Sequence, residues 1–161
     1  MSEEHSYRVS AWWTSGRTGL ATCDSAPNAI HFSEAEELGG LAGRWTPEQL
    51  LLSALAACFT TTFEAVARSA KFDYTDLEVE AVGIAHKDKL ECTFNEIVLH
   101  PRLTVQSEGA LDEGMNLLRQ ARSVCLISRS ISVPQTTELK VEVCKAPARN
   151  YVAEPAVKLR V

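Results

Sequence analysis

The sequence lacks the close pairing of cysteine and histidine that marks a metal site or a disulfide framework. Its five cysteines are an odd number, widely spaced and without a Cys-x-x-Cys motif. Structural disulfides and a zinc site are therefore not expected. The four histidines are equally isolated, which favours surface or strand positions over ligation. We expect no metal and no cofactor. The cysteines are Cys23, Cys58, Cys92, Cys125 and Cys144, and the histidines are His5, His31, His86 and His100.

The chain also lacks an excess of positive charge. Its 16 Lys and Arg residues against 21 Asp and Glu residues give a net charge of −5. This balance argues against nucleic acid or an anionic membrane as a main partner. No stretch reaches the roughly 20 apolar residues of a membrane span. Residues 1–5 are polar and acidic and have no signal-peptide pattern. We therefore expect a cytoplasmic protein.

The most prominent feature that is present is an almost wholly apolar run over residues 50–59. Just before it, Thr46 and Gln49 have the spacing of a capping box, and Pro47 suits the first helical position. The pattern predicts a central helix over residues 47–71. Because the run is apolar on every side, we expect this helix to be buried all round.

Alternating apolar and polar residues predict strands on both sides of this helix. With 161 residues, the chain fits a single α+β domain over 1–161 with mainly antiparallel sheets. A single chain has too few elements to surround the helix on all sides. We therefore expect a dimer in which two such helices pack together. Pro101 suggests a bulge or an edge position in its strand. The predicted segments are N-terminal strands within 7–33 (Tyr7–Trp13, Leu20–Cys23 and Ala29–Ser33, with a turn at Ser25–Asn28), the central helix, a β-hairpin over 77–105, helices over 108–131, a last strand over 137–144, and a tail over 145–161 that we expect to pack on a neighbour.

Two cysteines are candidates for chemistry: Cys58 in the apolar helix and Cys125 late in the chain. Each alone is better explained as a small buried hydrophobic residue. Arg122 and Arg129 lie three and four residues from Cys125. In a helix they would surround its thiol with positive charge, which favours the thiolate. Arg17 lies in a glycine-flanked turn, either exposed or presented to a site.

Four segments, taken together and in order, resemble the OsmC/Ohr family, the osmotically inducible and organic hydroperoxide resistance proteins. The resemblance extends from about Tyr7 to Cys144. It implies an OsmC-like fold, with mainly antiparallel sheets and a long buried central helix, and an intertwined homodimer with sites at the interface. The four segments are Gly16–Gly19, Glu37–Gly40, Thr46–Phe59 and Val124–Ser128.

The resemblance also implies a thiol-dependent peroxidase for organic hydroperoxides and, less efficiently, hydrogen peroxide. By position, Cys58 resembles the peroxidatic cysteine and Cys125 the resolving cysteine. Arg17 and Glu48 match the arginine and glutamate that form a network with the thiolate. Such a network suits the residues, because a thiolate in an apolar helix needs a cation and a carboxylate can hold that cation. A Cys58 sulfenic acid would condense with Cys125 to a disulfide. In better-studied members, lipoylated proteins or small dithiols reduce it.

The spacing of Glu48 and Cys58 bears on this network. They are ten residues apart, which is about 15 Å along a regular helix. A single Arg17 could hardly touch both within one subunit. Either the helix start is bent, or two helices cross antiparallel and bring Glu48 of one chain towards Cys58 of the other. We favour the second arrangement, because it also buries the helix.

The sequence departs from the family pattern near both cysteines. Where a proline commonly follows the resolving cysteine, this chain has Leu126, and bulky Trp45 stands close to the Pro-Glu pair. We expect Trp45, Phe59 and Leu126 to shape the substrate pocket, so these departures bear on substrate choice. Two other functions stay open: a non-catalytic relative that binds a small apolar or thiol-reactive ligand in the same pocket, and an interaction protein with inert cysteines.

Overall fold

The computed structural model describes residues 4–14, 16–87 and 92–144, with Lys87 and Cys92 described by their backbone alone. In chain order the elements are β1 Ser10–Trp13, β2 Gly19–Cys23, β3 Ala26–Phe32, α1 Pro47–Ala70, β4 Asp76–Lys87, β5 Cys92–Val105, α2 Leu111–Val124, α3 Leu126–Ser130, β6 Gln135–Thr137 and β7 Lys140–Val143. Strands β1 to β3 form an antiparallel sheet. In the second sheet, β5 pairs antiparallel with β4 on one side and parallel with β6 and β7 on the other. The predicted α+β class with mainly antiparallel sheets is confirmed.

Local interactions define both ends of helix α1. The Thr46 hydroxyl accepts a hydrogen bond from the Gln49 backbone N–H at 3.2 Å, and the Gln49 side chain accepts one from the Thr46 N–H at 3.0 Å. These bonds form a complete capping box, with Pro47 at the first helical position. At the other end, Lys71 takes a left-handed conformation with φ of 53° and its N–H closes the last turn.

The central helix buries only one face within this chain, so the predicted burial all round would require the second chain that was expected to pack against it. Its buried side chains recur every four residues as one stripe, and the opposite face, including Ala54, Ala57 and Thr61, is exposed. By length and composition α1 could cross a membrane, but core helices of globular proteins meet the same criterion. The buried stripe packs against β5 and α2 to form the core. The stripe consists of Leu55, Phe59, Phe63 and Ala67, and its partners are Ile97, Leu99, Leu103 and Val105 of β5 and Leu117, Leu118 and Ala121 of α2.

Pro101 lies inside the central strand β5, so the prediction of a bulge or an edge position is wrong. It pairs in regular register with Val79, and the bulge in this hairpin occurs instead between Ile84 and Ala85. The effect of Pro101 appears on the other side of β5. There the Ile97 N–H donates to Pro134, and the same alternation would direct an N–H at position 101, which proline lacks, towards Glu138.

The single last strand predicted over residues 137–144 is therefore two short strands. The parallel pairing with β5 holds over β6 and β7 and is interrupted between them, opposite residues 100–101. His100 bridges the interruption through its Nδ1, 3.2 Å from the Glu138 carboxylate. The tail over 145–161 lies outside the described residues.

The three-stranded sheet differs from prediction at its ends. Strand β1 begins at Ser10 rather than Tyr7, and β3 begins at Ala26 rather than Ala29, because Cys23 already pairs with Ala26 across a two-residue turn. A backbone hydrogen bond from Ser33 to Trp45 joins the end of this sheet to the start of α1. Trp12 and Trp13 are 48% and 55% exposed, so this sheet leaves large apolar side chains uncovered within the chain.

Candidate active site

Cys58 lies midway along α1, where the helix passes the junction of α2 and α3. It follows exposed Ala57 and precedes Phe59, which is buried in the core, so its half-buried side chain lies at the margin of the buried stripe. The helix thereby fixes the sulfur at a boundary between core and surface. A nucleophile at such a boundary can be reached without disturbing the buried stripe of its helix.

Cys125 occupies the break between α2 and α3. Its backbone is extended, with φ of −61° and ψ of 116°, and its side chain is fully buried. The break brings the Cys125 Sγ to 3.3 Å from the Cys58 Sγ, with the Cys125 thiol as donor. The Ile127 backbone N–H donates to the same Cys58 sulfur at 3.4 Å. Two donors from this junction thus converge on one sulfur atom.

The surroundings separate the pKa values of the two thiols. Desolvation raises the pKa of Cys58, but hydrogen bonds from the Ile127 N–H, the Cys125 thiol, the Thr62 hydroxyl and the Leu126 N–H together lower it below its ordinary value. Desolvation raises the pKa of Cys125, and the neighbouring Cys58 raises it further. Cys58 is therefore the more acidic thiol and the better nucleophile near neutral pH.

The positive environment predicted around Cys125 is not found. That prediction assumed a helix running through Cys125, and the extended break removes the helical spacing. Arg122 instead turns towards β6, where its Nε donates to the Thr137 hydroxyl at 2.6 Å and its Nη2 to the Gln135 carbonyl at 3.1 Å. Arg129 is exposed. Hydrogen-bond donors, rather than these arginines, lower the pKa of Cys58.

Arg17 lies on a loop, and neighbouring residues hold its side chain in a defined position. Arg17 and Gly16 both have positive φ, 65° and 74°. The guanidinium donates to the Leu38 carbonyl at 3.3 Å and lies 3.6 Å from the Glu34 carboxylate. A Cβ at Gly39 would come within 2.7 Å of this guanidinium and would displace it, and the positive φ of 86° at this position also favours glycine. Arg17 is half exposed and contacts neither Glu48 nor Cys58 in this chain.

Glu48 lies in the first turn of α1 and is exposed. Because α1 is regular from Pro47 onwards, a bent helix start does not bring Glu48 near Cys58. The two remain about 15 Å apart along the helix. The structure therefore brings together Cys58 and Cys125 and leaves Arg17 and Glu48 apart from them within one chain.

The three residues expected in the substrate pocket are dispersed. Trp45 is 49% exposed and lines a groove of about 550 Å³ between α1 and β4, whose walls include neither Cys58 nor Cys125. Leu126 is 58% exposed, next to the cysteine pair. Phe59 has no exposed surface and is part of the core, so it does not line an open mouth in this chain.

Some contributors to the site were missed from the sequence. Thr62 lies one turn after Cys58 on the same face of α1, a spacing that could have indicated its contact. The Ile127 N–H gave no signal, because a backbone donor carries no side-chain signature. Among residues 4–14, 16–87 and 92–144, no group of three or more His, Cys, Asp or Glu side chains could hold a metal ion.

Comparison with known proteins gives consistent matches. The family described as OsmC-like protein matches residues 40–140. The chain is 26% identical to YmaD of Bacillus subtilis over 143 residues, covering 87% of this chain and 95% of YmaD. It is 32% identical to ACIAD3023 of Acinetobacter baylyi over 131 residues, covering 80% and 87% respectively. The solved structure of an organic hydroperoxide resistance protein, OsmC, from Legionella pneumophila has a TM-score of 0.67 at 25% identity, covering 87% of this chain and 100% of that one.

Proposed function

Because the chain belongs to the OsmC/Ohr family of OsmC-like proteins, we propose that it is a cysteine-based peroxidase acting at Cys58. Its substrates are organic hydroperoxides and, less efficiently, hydrogen peroxide. The similar Legionella protein is named an organic hydroperoxide resistance protein, which supports this substrate class. We place the reaction in the cytoplasm, where thiols are kept reduced.

The observation that carries the proposal is the cysteine pair itself. The two sulfur atoms lie 3.3 Å apart, and the Cys58 sulfur receives a further N–H donor from Ile127. A disulfide needs an S–S distance of about 2.05 Å, so only a small movement separates the pair from a bond. Two thiols that only fill space in the core would not need surroundings that give them different pKa values.

The reaction follows from these two roles. The Cys58 thiolate attacks one peroxide oxygen, an S–O bond forms, the O–O bond breaks, and the alkoxide leaves and takes a proton to become an alcohol. Cys125 then loses its proton and attacks the Cys58 sulfenic acid. An S–S bond forms and the hydroxyl group leaves as water. An external dithiol or a lipoylated protein supplies the two electrons and two protons that restore both thiols.

The active unit in this proposal is a homodimer with sites at its interface. The exposed face of α1 carries Ala54 and Ala57, and Trp12 and Trp13 are exposed on the first sheet; a second copy would cover these apolar surfaces. Two antiparallel α1 helices would bring Glu48 of one chain towards Cys58 of the other. Arg17, leaving its contact with Glu34, would then pair with Glu48 and with the thiolate.

The test is oxidation of the reduced protein with cumene hydroperoxide, followed by mass spectrometry and by peroxide consumption with a dithiol present. We expect a Cys58–Cys125 disulfide and steady turnover. Cys58→Ser should abolish turnover, whereas Cys125→Ser without added dithiol should consume one peroxide per site and stop at the sulfenic acid. Failure of the wild-type protein to consume peroxide would refute the proposal.

A second candidate function is a non-catalytic binder of a small apolar or thiol-reactive ligand. The groove of about 550 Å³ beside Trp45 favours the apolar ligand of these two, because its lining contains no thiol that a thiol-reactive ligand could modify. This alternative predicts ligand binding that is unchanged in Cys58→Ser, with no peroxide consumed by the wild-type protein.

A further inference from the structure

The short helix α3 is attached to the sheet by a two-bond clamp. The Ser128 hydroxyl donates to the Gln135 Oε1 at 2.6 Å, and the Gln135 Nε2 donates to the Ser128 carbonyl at 2.8 Å. Ser128 is only 8% exposed. A primary amide can donate and accept at the same time, so one glutamine side chain binds both the hydroxyl and the carbonyl of Ser128.

The clamp connects α3 to strand β6, which pairs with the buried central strand β5. Gln135 is the first residue of β6 and pairs with Ile97 of β5, which is fully buried. The Gln135 carbonyl also accepts from Arg122, whose Nε bonds to Thr137. The end of α2 and the body of α3 are thus both fastened to β6.

Cys125 lies at the break between the end of α2 and helix α3, the two segments that are bonded to β6. This break carries the Cys125 thiol at 3.3 Å and the Ile127 N–H at 3.4 Å from the Cys58 sulfur. Helix α3 has only five residues, which is too few to hold its position without tertiary contacts. Leu126 at its start is 58% exposed and anchors it weakly.

We propose that Gln135, through its clamp on Ser128, is the positioning residue that sets the approach of Cys125 to Cys58. This inference rests on the proposed function, because it assigns Gln135 to the step in which Cys125 attacks the oxidised Cys58. Gln135 touches neither sulfur and acts through α3. Hydrogen bonds at a buried or half-buried site fix a position more firmly than apolar contact, because they are directional.

The test compares Gln135→Met, which keeps the length of the side chain and removes both bonds, with Thr136→Val in the same strand. Thr136 donates to Glu96 at 2.8 Å and is exposed, so its substitution removes a β6 hydrogen bond without touching α3. Ser128→Ala serves as a second variant, since it removes one clamp bond and leaves the bond to the Ser128 carbonyl.

The first readout is the equilibrium of the Cys58–Cys125 disulfide with glutathione, which does not involve peroxide. The two protein thiols give two electrons and two protons to oxidised glutathione, which becomes two reduced molecules. We expect the equilibrium constant for the protein disulfide to fall about tenfold in Gln135→Met, which corresponds to about 1.4 kcal/mol. This constant should fall less in Ser128→Ala and should not change in Thr136→Val. In the double variant that combines Gln135→Met with Ser128→Ala, it should fall no further than in Gln135→Met alone.

The second readout is the rate of disulfide formation after one equivalent of cumene hydroperoxide, which should slow in the same order. A merely structural role would lower the melting temperature without changing the glutathione equilibrium of the folded protein. Equal equilibrium constants in Gln135→Met and Thr136→Val would overturn the inference. If wild-type protein forms the disulfide with glutathione but consumes no peroxide, the proposed function fails, and the glutathione equilibrium still decides the role of Gln135.

Discussion

The two sulfur atoms of the site behave differently although they lie 3.3 Å apart. Cys58 receives donors from the backbone of α3, from Cys125 and from Thr62, and its pKa falls despite desolvation. Cys125 is fully buried and acts as a donor itself, and desolvation raises its pKa. In the proposed reaction, Cys58 is therefore the thiol that attacks first, and Cys125 acts as a nucleophile only after Cys58 has reacted.

This asymmetry predicts how substitutions of Cys125 act on Cys58. Cys125→Ala removes a donor and should move the pH midpoint for alkylation of Cys58 upwards, towards the ordinary thiol value of about 8.5. Cys125→Ser keeps a hydroxyl donor and should leave the midpoint lower than in the alanine variant. Iodoacetamide labelling across pH, read on the Cys58 peptide by mass spectrometry, measures both. Identical midpoints in the two variants would mean that the Cys125 donor does not influence Cys58.

At the scale of elements, α1 was predictable because its signals are local. Its capping box, proline and apolar run all lie within a few residues of its start, and the observed helix begins at the predicted residue. Its exposed face was not predictable as such. An apolar residue facing solvent in one chain and one facing the core have the same sequence signature, so the pattern alone could not tell them apart.

The α1 cap also allows a stability prediction. Thr46→Ala removes the side-chain acceptor of the capping box and should lower the free energy of unfolding by about 1 kcal/mol. Exposed Ser69 near the other end of α1 offers a matched control, since Ser69→Ala should be neutral or slightly stabilising. Urea unfolding at one fixed protein concentration measures both. An unchanged urea midpoint in Thr46→Ala would show that water replaces the cap fully.

The elements that the sequence misassigned depend on distant residues. The gap between β6 and β7 arises opposite Pro101, which belongs to the neighbouring strand. The helices predicted over 108–131 are divided at Cys125, and the hydrogen bonds between Ser128 and Gln135 join α3 to a strand that follows it in the chain. The proximity of Cys58 and Cys125 came from resemblance to a family, because no spacing within 67 residues of chain indicates it.

For the whole molecule, the uncovered apolar surfaces favour a second copy of the chain. We expect the protein to be a dimer, and Ala57→Arg on the exposed face of α1 should make it a monomer without turnover, since a charge there would be desolvated at the interface. Gln120→Arg on the exposed face of α2 adds the same charge and should stay dimeric and active. Sedimentation velocity and peroxide consumption measure the two properties. An active Ala57→Arg monomer would contradict an interface site.

A composite site makes a prediction that a site within one chain cannot share. Cys58→Ala and Glu48→Ala homodimers should both be inactive or strongly impaired. If Glu48 serves the Cys58 of its partner, a mixed dimer of the two variants contains one complete site, built from the intact Cys58 of one chain and the intact Glu48 of the other.

Unfolding and refolding an equal mixture should then yield about half mixed dimers by random pairing, each with one working site. Turnover therefore recovers to about a quarter of the wild-type value. Each variant refolded alone is the control. No recovery in a mixture shown to contain mixed dimers would place Glu48 outside the partner's site.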